Sequence, residues 1–418
     1  MWTRRALLKG LAGAAAAVSL PRSVRAQEAP IRIGHQVDLT GVASIFGFWN
    51  DRAARAAVDK LNAEGGIAGR RVELFSEDTG SSANTGVRAL RSLALRDEVD
   101  FALGTILAEV NKPSAPLAQE FQVPYFPSDD VVVQPGAPEV NRYTFRLGHN
   151  TRVKAQVSHR WALETLGLHW TFLSSDGAWG RAQVEDFSRL IPPLGGQVLN
   201  TVFGPIGTQD FIPLLARVDV KQTDVLYHTF FGSDAVSFYA QALELGILEH
   251  VSVFASVGTI EGLGLAVLGG TAEGASFVTE FPRRLDQIPE ALRGFNAEIR
   301  RLVGVDEQGN QIDGPNVITA EHYWVPWVNV HVIKAGIEAS GWRSKADTPA
   351  FIEALEGMSF QASLDFPSGD FFIRPADHRA FRDYFIERVQ GDRLLVAQRF
   401  PKELGLYDPP VDLTQLGF

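Results

Sequence analysis

The sequence predicts an α/β protein built as two doubly wound, Rossmann-like halves. Three observations predict it. Short apolar runs of strand type alternate with segments of helical period, the links between them are short, and the alternation restarts near His149 to give two series of similar size. No close internal repeat relates the halves.

Residues 31–78 set the pattern. Ile31, Ile33 and Val37 form an apolar run of strand type, broken at Thr40-Gly41. Ala53, Ala54, Ala57, Val58 and Leu61 then recur at helical spacing, and small breakers over 62–69 end that helix. Val72-Glu73-Leu74-Phe75 is a second strand. Strand, helix and strand make a right-handed unit of two parallel strands. Ligands of open parallel sheets sit beyond the carboxyl ends of the strands, so the loop 38–49 is the first candidate binding segment.

The first series continues with a helix over 83–96, a strand over 101–104, a helix over 109–121, and strands over 123–126 and 143–147. In the second series the spacing predicts helices over 153–166, 180–191, 211–218 and 233–245. It predicts strands over 170–174, 197–203, 225–227 and 251–255. Residues 271–279 lead back to helices over 289–302, 319–340 and 349–356, and 371–400 reads as a strand pair with turns.

Composition is that of an ordinary globular protein, 45% hydrophobic and 21% charged, and 418 residues allow two domains. There is no cysteine, which excludes a disulfide framework, a thiolate nucleophile, a Cys-ligated metal and a lipidated-Cys anchor. Residues 1–26 read as a secretory signal. Arg4-Arg5 precede Leu7-Leu8-Lys9, an apolar run follows, and Ala26 is the expected cleavage point. The paired arginines resemble a twin-arginine signal. Removing this segment takes away five basic residues and no acidic one, moving the formal charge from −10 to −15. So acidic a chain is a poor partner for nucleic acid or an anionic membrane surface.

A family resemblance rests on particular residues. Gly34 is followed by Leu39-Thr40-Gly41, then by the aromatic-Gly pair Phe46-Gly47, then by the run LNAEGGIAGRRVEL over 61–74. Val123-Pro124-Tyr125, Trp179-Gly180, residues 223–227, Ala272-Glu273-Gly274 and Asp377-His378-Arg379 follow in order. This series resembles the type I periplasmic solute-binding proteins of ABC transporters, most closely the branched-chain amino acid (Leu/Ile/Val) and amide-binding group. The resemblance implies two lobes joined by three hinge crossings, near Gly148, 275–281 and 361–365. Lobe one would be 27–148 plus 279–361, and lobe two 149–278 plus 362–418.

It also implies a ligand held between the lobes by the first turns after several strands. On that basis Phe46, Leu107, Ala108, Glu109, Asp129 and Asp130 are the candidates of lobe one. Trp179, Phe231, Ser256 and Val257 are those of lobe two, with Phe230 beside Phe231. Amino-acid binders of the group hold the α-carboxylate with a Ser/Thr pair and the α-ammonium with an acid from lobe two. The corresponding positions here read Ala108, Val131 and Val257. Burying a zwitterion without those partners costs several kcal/mol. A less polar solute fits better: the aromatics suit an apolar or planar body, and the acids suit hydroxyl, amide or cationic groups.

No chemistry-bearing motif competes with this reading. G-x-S-x-G, the Walker A motif and the dinucleotide fingerprint are all missing, and no base is close in sequence to Ser174-Ser175 or Ser233. Glu321-His322 and His331 lack metal-protease spacing and are read as helix surface or core. No cofactor or metal is expected. The expected function is capture of a small organic solute (an amino acid, amide, aromatic or similar compound) and its delivery to an ABC permease. A ligand sensor of the same fold acting on a regulatory partner is the main alternative, and an exported hydrolase the remote one.

Overall fold

The computed structural model describes residues 29–130, 134–265, 268, 270–317 and 322–418. The expected signal at 1–26, and Val131 and Glu321, lie outside the described residues. The chain opens as β1 (Ile31–Val37), α1 (Ser44–Ala63), β2 (Val72–Asp78), α2 (Ala83–Leu95), β3 (Phe101–Leu103), α3 (Ala108–Glu120) and β4 (Tyr125–Phe126). The four strands form a parallel sheet in the order β2-β1-β3-β4. Helices cover both faces, so β1 is apolar at Ile31, Ile33 and Val37 and is buried along nearly its whole length.

The predicted apolar face of α1 is its buried face: Ala53, Ala54, Ala57, Val58 and Leu61 all enter the first core. The turn that ends this helix is specified by glycine. Gly66 has φ +79°, and a Cβ there would lie 1.9 Å from the carbonyl oxygen of Arg70. Its N–H meanwhile reaches the Leu61 carbonyl at 2.8 Å.

Two short strands follow, β5 (Asp129–Asp130) and β6 (His149–Asn150), paired in parallel. The second series is α4 (Thr151–Thr165), β7 (His169–Ser175), α5 (Ala178–Leu190), β8 (Gln197–Gly204), α6 (Ile212–Leu215), β9 (Val225–His228), α7 (Ser233–Glu244), β10 (Ser252–Ser256) and β11 (Ser276–Thr279). The chain then adds α8 (Glu290–Val303), α9 (Trp324–Ser340) and α10 (Thr348–Leu355). A small antiparallel sheet of β12 (Ser359–Phe360), β13 (Phe371–Arg374) and β14 (Arg379–Phe381) comes next, and then β15 (Tyr384–Gln390) and β16 (Arg393–Phe400). The second large sheet runs β16-β15-β11-β10-β9-β7-β8; β15 is antiparallel to both of its neighbours, and the other strands share one direction. Helix α9 is apolar on every side because it lies inside the first core, against α1 and α10.

Three expectations differ from the structure. Residues 143–147 form no ladder strand. Tyr143 and Phe145 bond to Tyr125, and Arg146 then bonds to His378 and Ala380, so the segment changes partner after two residues. The helix expected over 211–218 is regular only over Ile212–Leu215 and loosens into tighter turns at Arg217 and Val218. The tail holds four strands rather than a pair. Phe371, Ile373 and Ala380 pack into the first core, whereas Tyr384 and Ile386 belong to a core of the seven-stranded sheet. Among the described residues no helix is long and apolar enough to cross a membrane.

The Gly66 turn makes a stability prediction. Gly66→Ala places a methyl against the Arg70 carbonyl in a left-handed conformation and is expected to cost about 2 kcal/mol or more. Urea denaturation of the variant and the parent chain measures it; equal midpoints would refute it.

Candidate functional site

The carboxyl ends of the strands converge because a buried carboxylate ties their loops together. Asp38, directly after β1, accepts hydrogen bonds from Thr79 after β2 and from Thr105 after β3. Thr105 in turn accepts the N–H of Leu107 at 2.9 Å, which sets the loop into α3. Burial pushes the Asp38 carboxyl up to about 6, and the hydrogen bonds from Thr105 and Thr79 only partly offset it.

These loops form one wall of a cavity that is partly open to solvent. Phe46 from the first turn of α1, residues 106–109 and Asp129 line this side. The facing wall comes from the other sheet: Ser175, Gly177, Trp179 and Gly180 around the start of α5, Ile206 after β8, Phe231 after β9 and Gly258 after β10. His322, ahead of α9, completes it. The aromatic rings meet edge to face. Phe46 and Phe231 are 6.5 Å apart at 71°, Phe231 and Trp179 6.3 Å at 85°, and Phe46 and His322 5.2 Å at 72°.

Two polar contacts cross the cavity. Glu109 Oε1 accepts the N–H of Ala178 at 2.8 Å. The helix α5 begins at Gly177, which has no side chain to cap it, so the carboxylate from α3 supplies the cap. A Cβ at Gly177 would lie 2.8 Å from Glu109 Oε1, so a side chain there would push the carboxylate from its place. On the other side, Nδ1 of His322 pairs closely with the buried carboxylate of Glu261, and the backbone of His322 is held by Asn50 at 2.8 Å.

Behind His322 lies a buried ionic group. The rings of His322 and His149 are 4.3 Å apart, and His149 Nδ1 is 3.6 Å from Glu280 Oε1. Arg382 donates to Glu280 at 3.1 Å, and the hydroxyl of Tyr384 donates to the same carboxylate. Burial alone would raise Glu280. The surrounding charges of His149, Arg382 and Lys154 outweigh it and hold the carboxyl well below the usual range.

The structure brings Phe46, Leu107, Ala108, Glu109, Asp129, Trp179 and Phe231 together around this cavity. It does not bring Ser256 or Val257 to the wall. Both are fully buried, and the Ser256 hydroxyl accepts from Lys154 at 2.8 Å behind the turn that presents Gly258. Phe230 points away from Phe231, as alternation after a strand requires, and packs on Phe211 at 4.6 Å in the core. The backbone of Asp130 pairs with Asn150; its side chain lies outside the described residues. Reading His322 as helix surface or core is corrected: it precedes α9 and faces the cavity. The residues not foreseen are the small or backbone-presenting ones, Ile106, Ser175, Gly177, Gly180, Ile206 and Gly258. Of these, Gly180 carried a signal, its place beside Trp179 at a strand end.

A cavity walled from two parallel sheets, aromatic on its sides and with four polar side chains, is built to hold a small organic molecule. Residues 30–393 match the periplasmic binding protein family, and the chain belongs to that family, whose members bind solutes and are not enzymes. Among its relatives, the Leu/Ile/Val-binding protein BraC3 of Rhizobium johnstonii is 27% identical over 48% of this chain and 54% of its own length. A Leu/Ile/Val-binding protein homolog of Brucella melitensis is 26% identical over 80% of this chain and 86% of its own. Solved structures share the fold. An ABC transporter substrate-binding protein from Sphaerobacter thermophilus gives a TM-score of 0.75 at 23% identity, over 89% of this chain and 98% of that one. An R. palustris solute-binding protein in complex with benzoate gives 0.75 at 16%, over 93% and 100%. The leucine-binding protein LivK of Thermotoga maritima gives 0.75 at 18%, over 89% and 99%.

The Asp38 bridge predicts a pH dependence. The folded carboxyl lies at about 6 against 3.8 for the free group, so the folded state binds this proton more tightly. The group therefore favours folding most at low pH, and its contribution falls as pH rises from about 3.8 through about 6. Between pH 5 and 7 the loss is about 1 kcal/mol, and Asp38→Asn removes it. Urea denaturation of parent and variant at the two pH values tests this; an unchanged pH difference in the variant refutes it.

Proposed function

We propose that this chain is the substrate-binding component of an ABC transporter, exported to the periplasm, that takes a small organic solute with an apolar or aromatic body and delivers it to a membrane permease. The observation that carries the reading is the cavity itself. Its aromatic walls, Phe46 on one sheet's side and Trp179 and Phe231 on the other's, can both touch one ligand only when the two sheets are close. The related Leu/Ile/Val-binding proteins and the solute-binding structures support it. Arg4-Arg5 and the apolar run that follows support export by the twin-arginine route.

In this reading each large sheet with its helices is a lobe. The first two hinge crossings stay near Gly148 and 279–281. The third is better placed at 381–384 than at 361–365, because residues 371–380 pack into the first core. The lobes close by bending at these crossings. Solute contacts made with both lobes stabilise the closed form in proportion to the ligand's preference for it. No bond is broken.

The test is a thermal-shift screen of purified residues 27–418 against amino acids, amides, aromatic acids, alcohols and amines. An apolar or aromatic solute is expected to raise the melting midpoint by a few degrees at saturation. Phe46→Ala and Trp179→Ala are each expected to weaken its binding at least tenfold, about 1.4 kcal/mol. A response to leucine alone would overturn the reading of Ala108, Val131 and Val257. Silence across the whole panel would overturn the transport reading.

A further inference from the structure

The charges around the cavity identify the class of solute, given that the cavity is the solute site. We propose that the solute is an organic cation, an ammonium group on an apolar or aromatic body, and that Glu109 and Asp129 are the side chains that select it.

The first argument is the inventory of charge. No lysine or arginine lines the cavity, whereas two carboxylates, Glu109 and Asp129, do. The one other lining side chain able to carry a positive charge, His322, is paired with the buried carboxylate of Glu261. A carboxylate ligand would bring a further negative charge beside Glu109, in a cleft lined by no lysine or arginine.

The second argument concerns the helix ends, which ordinarily favour anions. Both α3 and α5 begin at the cavity. Glu109 lies in the first turn of α3 and, through Oε1, caps the N-terminus of α5. One protein carboxylate therefore already occupies the position a ligand carboxylate would take at α5, and the same residue places its negative charge in the first turn of α3. Its second oxygen, Oε2, accepts from no donor among the described residues, so it is left to receive an N–H from the solute.

The third argument is the walls. Phe46, Trp179 and Phe231 surround the space with the negative faces and positive edges of aromatic rings. Rings grouped beside carboxylates are the arrangement that binds alkylated ammonium groups through their π-faces. An acid-binding site of the same shape would need a donor, whether hydroxyl, backbone N–H or cationic side chain, in place of one of these carboxylates.

The experiment is calorimetric titration of residues 27–418 with 2-phenylethylammonium, benzyltrimethylammonium, 2-phenylethanol and 3-phenylpropionate. Both ammonium probes are expected to bind at least tenfold more tightly than 3-phenylpropionate. Glu109→Gln keeps a carbonyl acceptor for the Ala178 N–H, so the variant separates charge from closure; its fold is checked by circular dichroism and melting. In Glu109→Gln, and more so with Asp129→Asn added, the ammonium advantage is expected to shrink at least tenfold. The proposal is overturned if 3-phenylpropionate or 2-phenylethanol binds as tightly as the ammonium probes, or if the advantage persists in the folded Glu109→Gln variant. Those results leave the transport reading standing. Failure of all four probes to bind overturns the cationic reading, and the transport reading falls with it only if the wider panel is also silent.

Discussion

The carboxylate of Glu280 is where the separate passes of this chain are joined. It is fully enclosed and meets His149 from one segment and Arg382 and Tyr384 from another, so with its own it joins three segments far apart in sequence. Removing an ion from water costs several kcal/mol even after relaxation, so such a carboxylate is tolerable only with its partners in place. Each of the three segments is therefore held by the needs of the others. His149 directly precedes α4, Glu280 directly follows β11, and Arg382 stands between β14 and β15. At His149 the chain has left the four-stranded sheet for the seven-stranded one, at Glu280 it leaves the seven-stranded sheet, and at Arg382 it returns to it from the three-stranded sheet.

That group also reaches the cavity. His149 packs its ring on His322, and His322 packs its edge on Phe46. A solute that pushes on Phe46 or His322 thus acts on side chains one contact away from the buried ions. The Glu109 cap on α5 is a second, solvent-side tie between the two walls of the cavity. The two walls are therefore tied at one edge by the Glu109–Ala178 hydrogen bond and at the other by the His322–Glu261 pair, with the aromatic rings between them.

Much of the fold was legible because it depends on periodicity. The alanine-rich face of α1, the apolar run of β1 and the glycine-rich turn before β2 follow from spacing alone, and their structural roles match. The candidate residues Phe46, Glu109, Asp129, Trp179 and Phe231 were reached through the family resemblance, which implies a ligand held by the turns after the strands, and all five line the cavity. What was not legible depends on direction rather than position. Phe230 and Phe231 are the same residue type, and only the register of β9 decides which one faces the core. Ser256 and Val257 sit in the right turn, but the turn presents Gly258. His322 is more than sixty residues from its partner Glu261, a pairing no local pattern announces.

Low identity with a shared fold follows from the same division. The chain superposes on leucine-binding and benzoate-complexed proteins equally well, with a TM-score of 0.75 for each at 18% and 16% identity. Burial patterns and strand order survive many substitutions, because any apolar side chain of suitable volume maintains them. Ligand choice does not share that tolerance. It rests on a few wall positions, where exchanging a hydroxyl for a methyl, or a neutral group for a carboxylate, changes which solute can be buried without an unpaired charge. In this chain those positions carry Ala108 beside Glu109 on one side and glycines at 177, 180 and 258 on the other. The second side therefore offers mostly backbone and aromatic surface, and both carboxylates of the cavity wall come from the first.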